Sequence, residues 1–175
     1  MKKWLSAAGV MVLVAGVVLG SSAQRRRDPL TDAEVDQLRD AAQDAQTRMK
    51  LFVDFARDRM NKLEQAASDP KAKDRSNQIH DRLQDFLDVY DELNDNLDNF
   101  EKRGDDLRKP LKVVLEADTQ FQQRLRALRD SLESHPEDTK DYEFLLGNAT
   151  DTVQNSLQDH HEMQKEQEAA KHQKK

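Results

Sequence analysis

Cysteine is absent from the 175-residue chain. The sequence therefore excludes disulfides, thiolate metal sites and cysteine nucleophiles. Glycine is scarce as well: three of the five glycines lie in the first twenty residues, which leaves Gly104 and Gly147 for the rest of the chain. Without a glycine-rich loop to cradle a phosphate, the sequence offers no nucleotide-binding motif, and it contains no Gly-x-Ser-x-Gly nucleophile motif.

Aromatic residues are also few, at 5% of the chain, whereas charged residues make up 35% and the mean hydropathy is -0.96. This composition approaches that of disordered proteins. The apolar residues are nevertheless spaced with helical regularity over long segments, which disordered polar tracts do not require. One such series is Ile79, Leu83, Phe86, Tyr90, Leu93, Leu97 and Phe100. We therefore predict a folded, elongated helical protein with a thin core.

The first 23 residues have the three parts of a secretory signal. Lys2 and Lys3 give a basic start, an apolar run covers residues 5–19, and small residues at Ser21 and Ala23 suit cleavage after Ala23. The run is shorter than the roughly 20 residues that cross a bilayer. The pattern predicts a signal peptide over residues 1–23 and a periplasmic or secreted protein.

The rival interpretation is an uncleaved membrane anchor. Arg25, Arg26 and Arg27 follow the cleavage position directly, and positive charge on the exported side opposes the usual orientation rule. A membrane-anchored sensor or adaptor is therefore a further alternative. In the secreted form, residues 24–30 form a flexible basic N-terminus and no stable membrane insertion is expected.

Four helices are predicted after this segment. The first starts at Thr31, where Thr-x-x-Glu forms a capping box with Glu34, and its apolar seam runs to Ala67. Asp69 and Pro70 suit the start of the second helix, which ends near Arg103 before Gly104. The third and fourth helices are predicted over residues 106–134 and from residue 138 onward. We expect a weak point at Gly147 and a polar, fraying tail over residues 161–175.

The predicted fold class is all-α, an elongated antiparallel (up-down-up-down) four-helix bundle with coiled-coil-like packing over residues 31–160. Short turns favour antiparallel neighbours, and apolar steps of three and four residues are typical of coiled-coil seams. A three-helix core with one terminal helix free to pair with a second copy is the alternative.

An acidic ridge lies opposite the apolar stripe of the second predicted helix. It could bind cations or dock a partner, but a solvated outer face explains it more simply. The ridge consists of Asp81, Asp85, Asp88, Glu92 and Asp95. A calcium loop over Asn94, Asn96 and Asp98 fails, because Asn99 stands where the turn glycine belongs.

The five histidines form no pattern that is typical of a metal site. Neither Glu-x-x-His nor His-x-x-x-His occurs. Met49 and His160 differ in predicted height by roughly 15 Å, so they could not share a haem iron. Met60 and His80 lie at similar heights, but His80 is one place off the seam. Asp118 is the nearest candidate for a buried carboxylate, and we expect it at the rim of the seam.

The sequence therefore predicts an exported, non-catalytic bundle that acts through protein contacts, as a scaffold, a subunit or a chaperone-like binder. We predict no catalytic, cofactor-binding or metal-binding residues and no small-molecule substrate. The expected partner is another protein or a second copy of the chain. Nucleic acid is not expected as a partner, because the net charge is -6. The alternative is a small periplasmic bundle that binds a cofactor or metal.

Overall fold

The computed structural model describes residues 28–69, 71–132 and 142–173. These residues form five α-helices and no strand, which confirms the all-helical class. The helices are α1 (Asp32–Asp40), α2 (Ala45–Ser68), α3 (Arg75–Lys102), α4 (Arg108–Leu132) and α5 (Glu143–Gln173). The predicted signal, Arg25 to Arg27, His135 and the predicted start of the last helix at Asp138 lie outside the described residues.

The predicted first helix is in fact two helices, so the prediction of a continuous helix from Thr31 to Ala67 is wrong. The capping box at its start is confirmed: Glu34 N donates to Thr31 Oγ1 at 3.3 Å, and Thr31 N donates to Glu34 Oε2 at 2.8 Å. The chain turns after Asp40, and Asp44 caps α2 by accepting hydrogen bonds from Gln46 N at 3.0 Å and Thr47 N at 3.2 Å. An aspartate cap competes well with helix continuation at this point.

The start of α3 also differs from the prediction. We expected Asp69 to cap the second helix, but Asp69 instead ends α2 and accepts a hydrogen bond from Lys71 N at 2.9 Å. The helix begins at Arg75, after Asp74 in the left-handed conformation with φ of 57°. Aspartate tolerates this conformation better than most residues. Beyond the other end of the helix, Gly104 has φ of 77°, which confirms the predicted left-handed position.

Helix α5 is longer and less interrupted than the sequence suggested. It runs unbroken through Gly147, because Leu146 and Ala149 are buried on either side and offset the cost of a helical glycine. It also continues to Gln173, through the segment expected to fray. Met163 is buried, and the Gln167 side chain accepts a hydrogen bond from Leu107 N at 3.3 Å.

The four long helices share one apolar core. Helix α2 packs against α3 and α4, α5 packs against α4 and α3, and α1 rests on α2. The largest fully buried apolar side chains come from all four long helices or their ends: Tyr90, Tyr142, Phe52, Phe86, Phe121, Met49, Met60, Leu63, Ile79, Leu83, Leu93 and Leu97. The core therefore extends along most of the described helices.

Candidate functional site

Three polar side chains from three different helices meet inside the core. Tyr90 on α3 donates its O–H to Asp118 Oδ1 on α4 at 2.7 Å. His160 on α5 places Nδ1 2.8 Å from the other carboxylate oxygen, Asp118 Oδ2. The exposed fractions are 0% for Tyr90 and Asp118 and 4% for His160. We call Tyr90, Asp118 and His160 the buried network.

The helical register explains why these residues meet. Each lies where alternating steps of four and three along its helix continue a buried seam. On α4 this seam consists of Leu107, Leu111, Val114, Asp118, Phe121, Leu125, Leu128 and Leu132, and on α5 of Leu146, Ala149, Val153, Ser156, His160 and Met163. Asp118 is thus fully buried, and our expectation that it lies at the rim of the seam is wrong.

The buried position of His160 was not predicted, because the last helix was traced through its apolar residues and not through their regular spacing. Leu145 and Leu157 are apolar residues of the last helix that a search for apolar positions selects, yet both are only half-buried. Extending the regular steps from Ala149 and Val153 leads instead to Ser156 and His160. The spacing carried the signal, although the residue types concealed it.

Aromatic rings enclose one side of the buried network. The Tyr90 ring stacks on Phe86 with centroids 5.7 Å apart, and Phe121 meets Tyr90 edge-on at 6.0 Å and Phe86 at 5.3 Å. Burial raises the pKa of the Tyr90 phenol well above its ordinary value, and the neighbouring Asp118 carboxylate raises it further. Tyr90 therefore remains a hydrogen-bond donor over the whole physiological pH range.

A second polar contact joins the same helices beside the network. Asn94 Nδ2 on α3 donates to Ser156 Oγ on α5 at 2.9 Å. Ser156 also lies next to Tyr90. The hydrogen bond between the two hydroxyls works to lower the Tyr90 pKa, against the larger effect of burial. The other side-chain atom of Asn94, Oδ1, is buried and has no hydrogen-bond partner within the described residues.

The buried network resembles part of a catalytic relay, in which a carboxylate orients a histidine for proton transfer. Its connections argue for a different use. The hydroxyl of Tyr90 bonds to the carboxylate and not to the imidazole, and none of the described surface grooves is lined by Tyr90, Asp118 or His160. The arrangement can orient helices and satisfy buried polar atoms, and it is not in contact with these described grooves.

The described surface carries shallow grooves at other places. One, of 270 Å³, lies along α3 beside Pro29 and is lined by Asp88, Asp91, Glu92, Asn94 and Asp95. It contains three residues of the predicted acidic ridge. Asp81 and Asp95 of that ridge are exposed, as expected for an outer face, whereas Asp85, Asp88 and Glu92 are half-buried. Another groove, of 470 Å³, lies between the ends of α2 and α4. There Arg124 forms a bidentate ion pair with Glu64, from Nε to Oε1 at 2.7 Å and from Nη2 to Oε2 at 2.6 Å.

A buried arginine attaches the first helix to the second. Arg59 on α2 donates to both carboxylate oxygens of Glu34 at 2.6 and 2.7 Å and to the Pro29 carbonyl at 3.0 Å. Burial works to raise the pKa of Glu34, but the Arg59 and Thr31 hydrogen bonds outweigh it and lower that pKa. The carboxylate that completes the capping box of α1 therefore also ties α1 to the bundle.

The other histidines considered from the sequence differ in burial from the residues with which they would have to form a site. Met60 is fully buried whereas His80 is exposed, and His161 points to solvent next to the buried His160. Within residues 28–69, 71–132 and 142–173, no three histidine or acidic side chains are grouped so that they could hold a metal ion. None of the described helices combines the length and apolar character needed to span a membrane.

Comparison with known proteins adds no relative. No protein-family model matches the chain, and no curated protein or solved structure matches it significantly.

Proposed function

We propose that the protein is an exported, non-catalytic helical bundle that acts through contacts with another protein or with a second copy of itself. In the proposed architecture, α2 to α5 form an up-down-up-down bundle with α1 packed on its side. Contacts between the start of α2 and the end of α3, such as Arg48 Nε to Asn96 Oδ1 at 2.8 Å, support alternating directions. The N-terminal pattern of residues 1–23 supports export.

The observation that carries this proposal is how Asp118 is used. It is the only acidic side chain in the buried core of the described residues, and both of its oxygens bond to neighbouring helices at 2.7 and 2.8 Å. Each carboxylate oxygen has a structural partner, and the full burial of Asp118 keeps a substrate away from the lone pairs that remain. The polar chemistry of the interior is thereby explained by helix packing.

The surface supplies the features that a binding role needs. Phe144, near the start of α5, is 88% exposed and is the one large apolar side chain so exposed in the described residues. A phenyl ring in water is a common anchor for a protein contact. Carboxylates on α3 add an acidic face that would steer basic partners toward the bundle.

Three measurements on the purified protein test the proposal. N-terminal sequencing of protein made in its host should find Gln24 as the first residue. Sedimentation over a concentration series should show association, and Phe144→Ser should weaken it while Arg126→Ser, at an exposed position on α4, should not. If the protein is monomeric, a photo-crosslinking residue at position 144 should join it to a defined partner, and the same residue at position 126 should not.

Other results would overturn the proposal. A haem absorption band or a stoichiometric metal in elemental analysis would favour the cofactor-binding alternative. A monomer that forms no crosslink from position 144 in its host would remove the proposed contact surface. An intact N-terminus starting at Met1 would replace the secreted form with an anchored one.

A further inference from the structure

Helix α5 buries few apolar side chains for its length. It has 31 residues, yet over residues 143–170, where its side chains are described, the buried apolar ones are Leu146, Ala149, Val153 and Met163. Helix α2 has 24 residues and buries seven: Met49, Phe52, Val53, Phe55, Ala56, Met60 and Leu63. The longest helix therefore has the smaller apolar interface and contributes no aromatic ring between residues 143 and 170 to the buried core.

The same face of α5 carries three buried polar residues, and each bonds to another helix. Arg129 on α4 donates to Thr150 Oγ1 at 2.9 Å. Ser156 accepts from Asn94 on α3, and His160 bonds to Asp118 on α4. We call these three contacts, at Thr150, Ser156 and His160, the polar seam of α5.

We propose that the polar seam is a lock that holds α5 on α3 and α4 in one register, and that α5 opens as a separate unit when the lock is broken. The lock operates within one chain and requires no partner.

Geometry explains why polar contacts fix the register. Sliding α5 by one helical turn moves each side chain by about 5.4 Å. Apolar side chains that slip by a turn find other apolar side chains, whereas a hydrogen bond that is lengthened by that distance is lost. A slipped α5 would leave Asp118 buried without its His160 partner, and an unsatisfied buried carboxylate is strongly unfavourable.

Energetics explain why α5 would open alone. Each hydrogen bond contributes little net stability, because water offers a similar bond in the open state. The small apolar interface of α5 adds less hydrophobic stabilisation than that of α2, whose side chains include two phenylalanines and two methionines. Helices with few buried apolar contacts open through local fluctuations with free energies below that of global unfolding.

Hydrogen exchange measured by mass spectrometry on the full chain tests the lock. In the unmodified protein, peptides from residues 146–163 should exchange faster than peptides from residues 49–63. Asp118→Asn keeps the shape of the side chain but removes its charge and replaces one acceptor oxygen by an amide N–H group. It should accelerate exchange in α5 by about tenfold or more, the factor that corresponds to 1.4 kcal/mol, while residues 49–63 continue to exchange more slowly than α5.

Two control substitutions isolate the buried contacts. Asp130→Asn makes the same chemical change at an exposed position of α4 and should leave α5 exchange unaltered. His161→Leu is the matched control for His160→Leu, because the two histidines are adjacent and only His160 is buried. Only the His160 variant should accelerate exchange in α5.

The result could contradict the proposal in either of two ways. Equal protection of α2, α3, α4 and α5 in the unmodified protein would show that α5 does not open separately. Unchanged α5 exchange in Asp118→Asn would show that the network does not lock it. If Asp118→Asn fails to fold, Ser156→Ala removes the contact with Asn94 and the hydroxyl beside Tyr90 but leaves the Asp118–His160 contact in place, and it is judged by the same two criteria.

Discussion

The interface of α2 with α3 and α4 differs in kind from that of α5. Helices α2 to α4 meet through large apolar side chains, among them Phe52, Phe86 and Phe121. Helix α5 meets α3 and α4 through fewer apolar residues, none of them aromatic within residues 143–170, interspersed with Thr150, Ser156 and His160. Both interfaces follow the same steps of three and four residues, so the difference lies in chemistry and not in geometry.

This difference separates two requirements of a helical bundle. Apolar burial provides most of the free energy of folding but discriminates weakly between registers. Hydrogen-bonded polar groups add little net stability yet penalise every arrangement that leaves them unpaired. In this chain, apolar burial is concentrated between α2, α3 and α4, whereas hydrogen-bonded polar contacts in the core are concentrated between α5 and its neighbours.

The largest expected effect comes from removing an aromatic ring from the apolar interface. Phe121→Ala should lower the free energy of unfolding by about 3–5 kcal/mol, because the cavity it leaves is lined by Phe86 and Tyr90. Val153→Ala in α5 removes about two methyl-sized groups and should cost roughly 2 kcal/mol. Urea unfolding followed by circular dichroism measures both. Equal losses would contradict the distinction between the interfaces.

The next effect concerns the buried network. A single substitution and the combined substitutions should change the free energy of unfolding by different amounts. Asp118→Leu alone leaves the Tyr90 hydroxyl and His160 buried without their acceptor and should cost about 3 kcal/mol or more. The triple variant Tyr90→Phe, Asp118→Leu and His160→Leu removes all the polar groups together. It should be within about 1 kcal/mol of the unmodified protein, or more stable.

The triple variant should keep its stability but lose the single packing arrangement of α5. Its amide NMR spectrum should show additional or broadened peaks from α5, where the unmodified protein shows one set. A triple variant as unstable as Asp118→Leu would show that the network contributes stability and would remove the contrast with the apolar interface.

Alkaline pH should weaken the contribution of Tyr90. Because its pKa is raised in the folded protein, the phenol stays protonated there while the unfolded chain releases the proton above about pH 10. The stabilisation is complete below pH 10 and is lost above it, at about 1.4 kcal/mol per pH unit. The difference in stability between the unmodified protein and Tyr90→Phe should therefore shrink from pH 9 to pH 11. All other titrating groups cancel in this comparison, and a constant difference would refute it.

The smallest effect comes from a matched pair of glycines. Gly147→Ala in α5 should stabilise the protein by up to about 1 kcal/mol, because a Cβ there meets nothing within 4 Å and alanine favours the helix. Gly104→Ala should destabilise it by about 1 kcal/mol, since φ is +77°. Thermal unfolding measures both, and hydrogen exchange should show that the gain from Gly147→Ala falls in α5. Equal signs for the two variants would contradict this account.

The sequence predicted the helical class, the buried stripe of α3 and the cap at Thr31, because each depends on local spacing or local hydrogen bonds. The break between Asp40 and Ala45 was missed, since the apolar seam continues across it while the Asp44 cap stops the helix. The start of α3 was misplaced because Asp69 and Pro70 suit a helix end as well as a helix start.

The candidate site was harder to predict, since it depends on contacts between residues far apart in the sequence. Tyr90 and Asp118 are 28 positions apart, and Asp118 and His160 are 42 apart. Within its own helix, each of these residues is a polar residue in an otherwise mostly apolar seam. A carboxylate becomes acceptable in a core only when the helices bring its two donors to it, and a single helix pattern does not contain that information.

The two oxygens of Asp118 each serve a different helix, which constrains how this protein can evolve. A substitution at Asp118 leaves both Tyr90 and His160 without their bonding partner, and a substitution at Tyr90 or His160 leaves one oxygen of Asp118 without its partner. Joint replacement of all three leaves no such group. Among homologous chains, these three positions should therefore covary. A homologue should have polar residues at all three positions or apolar residues at all three.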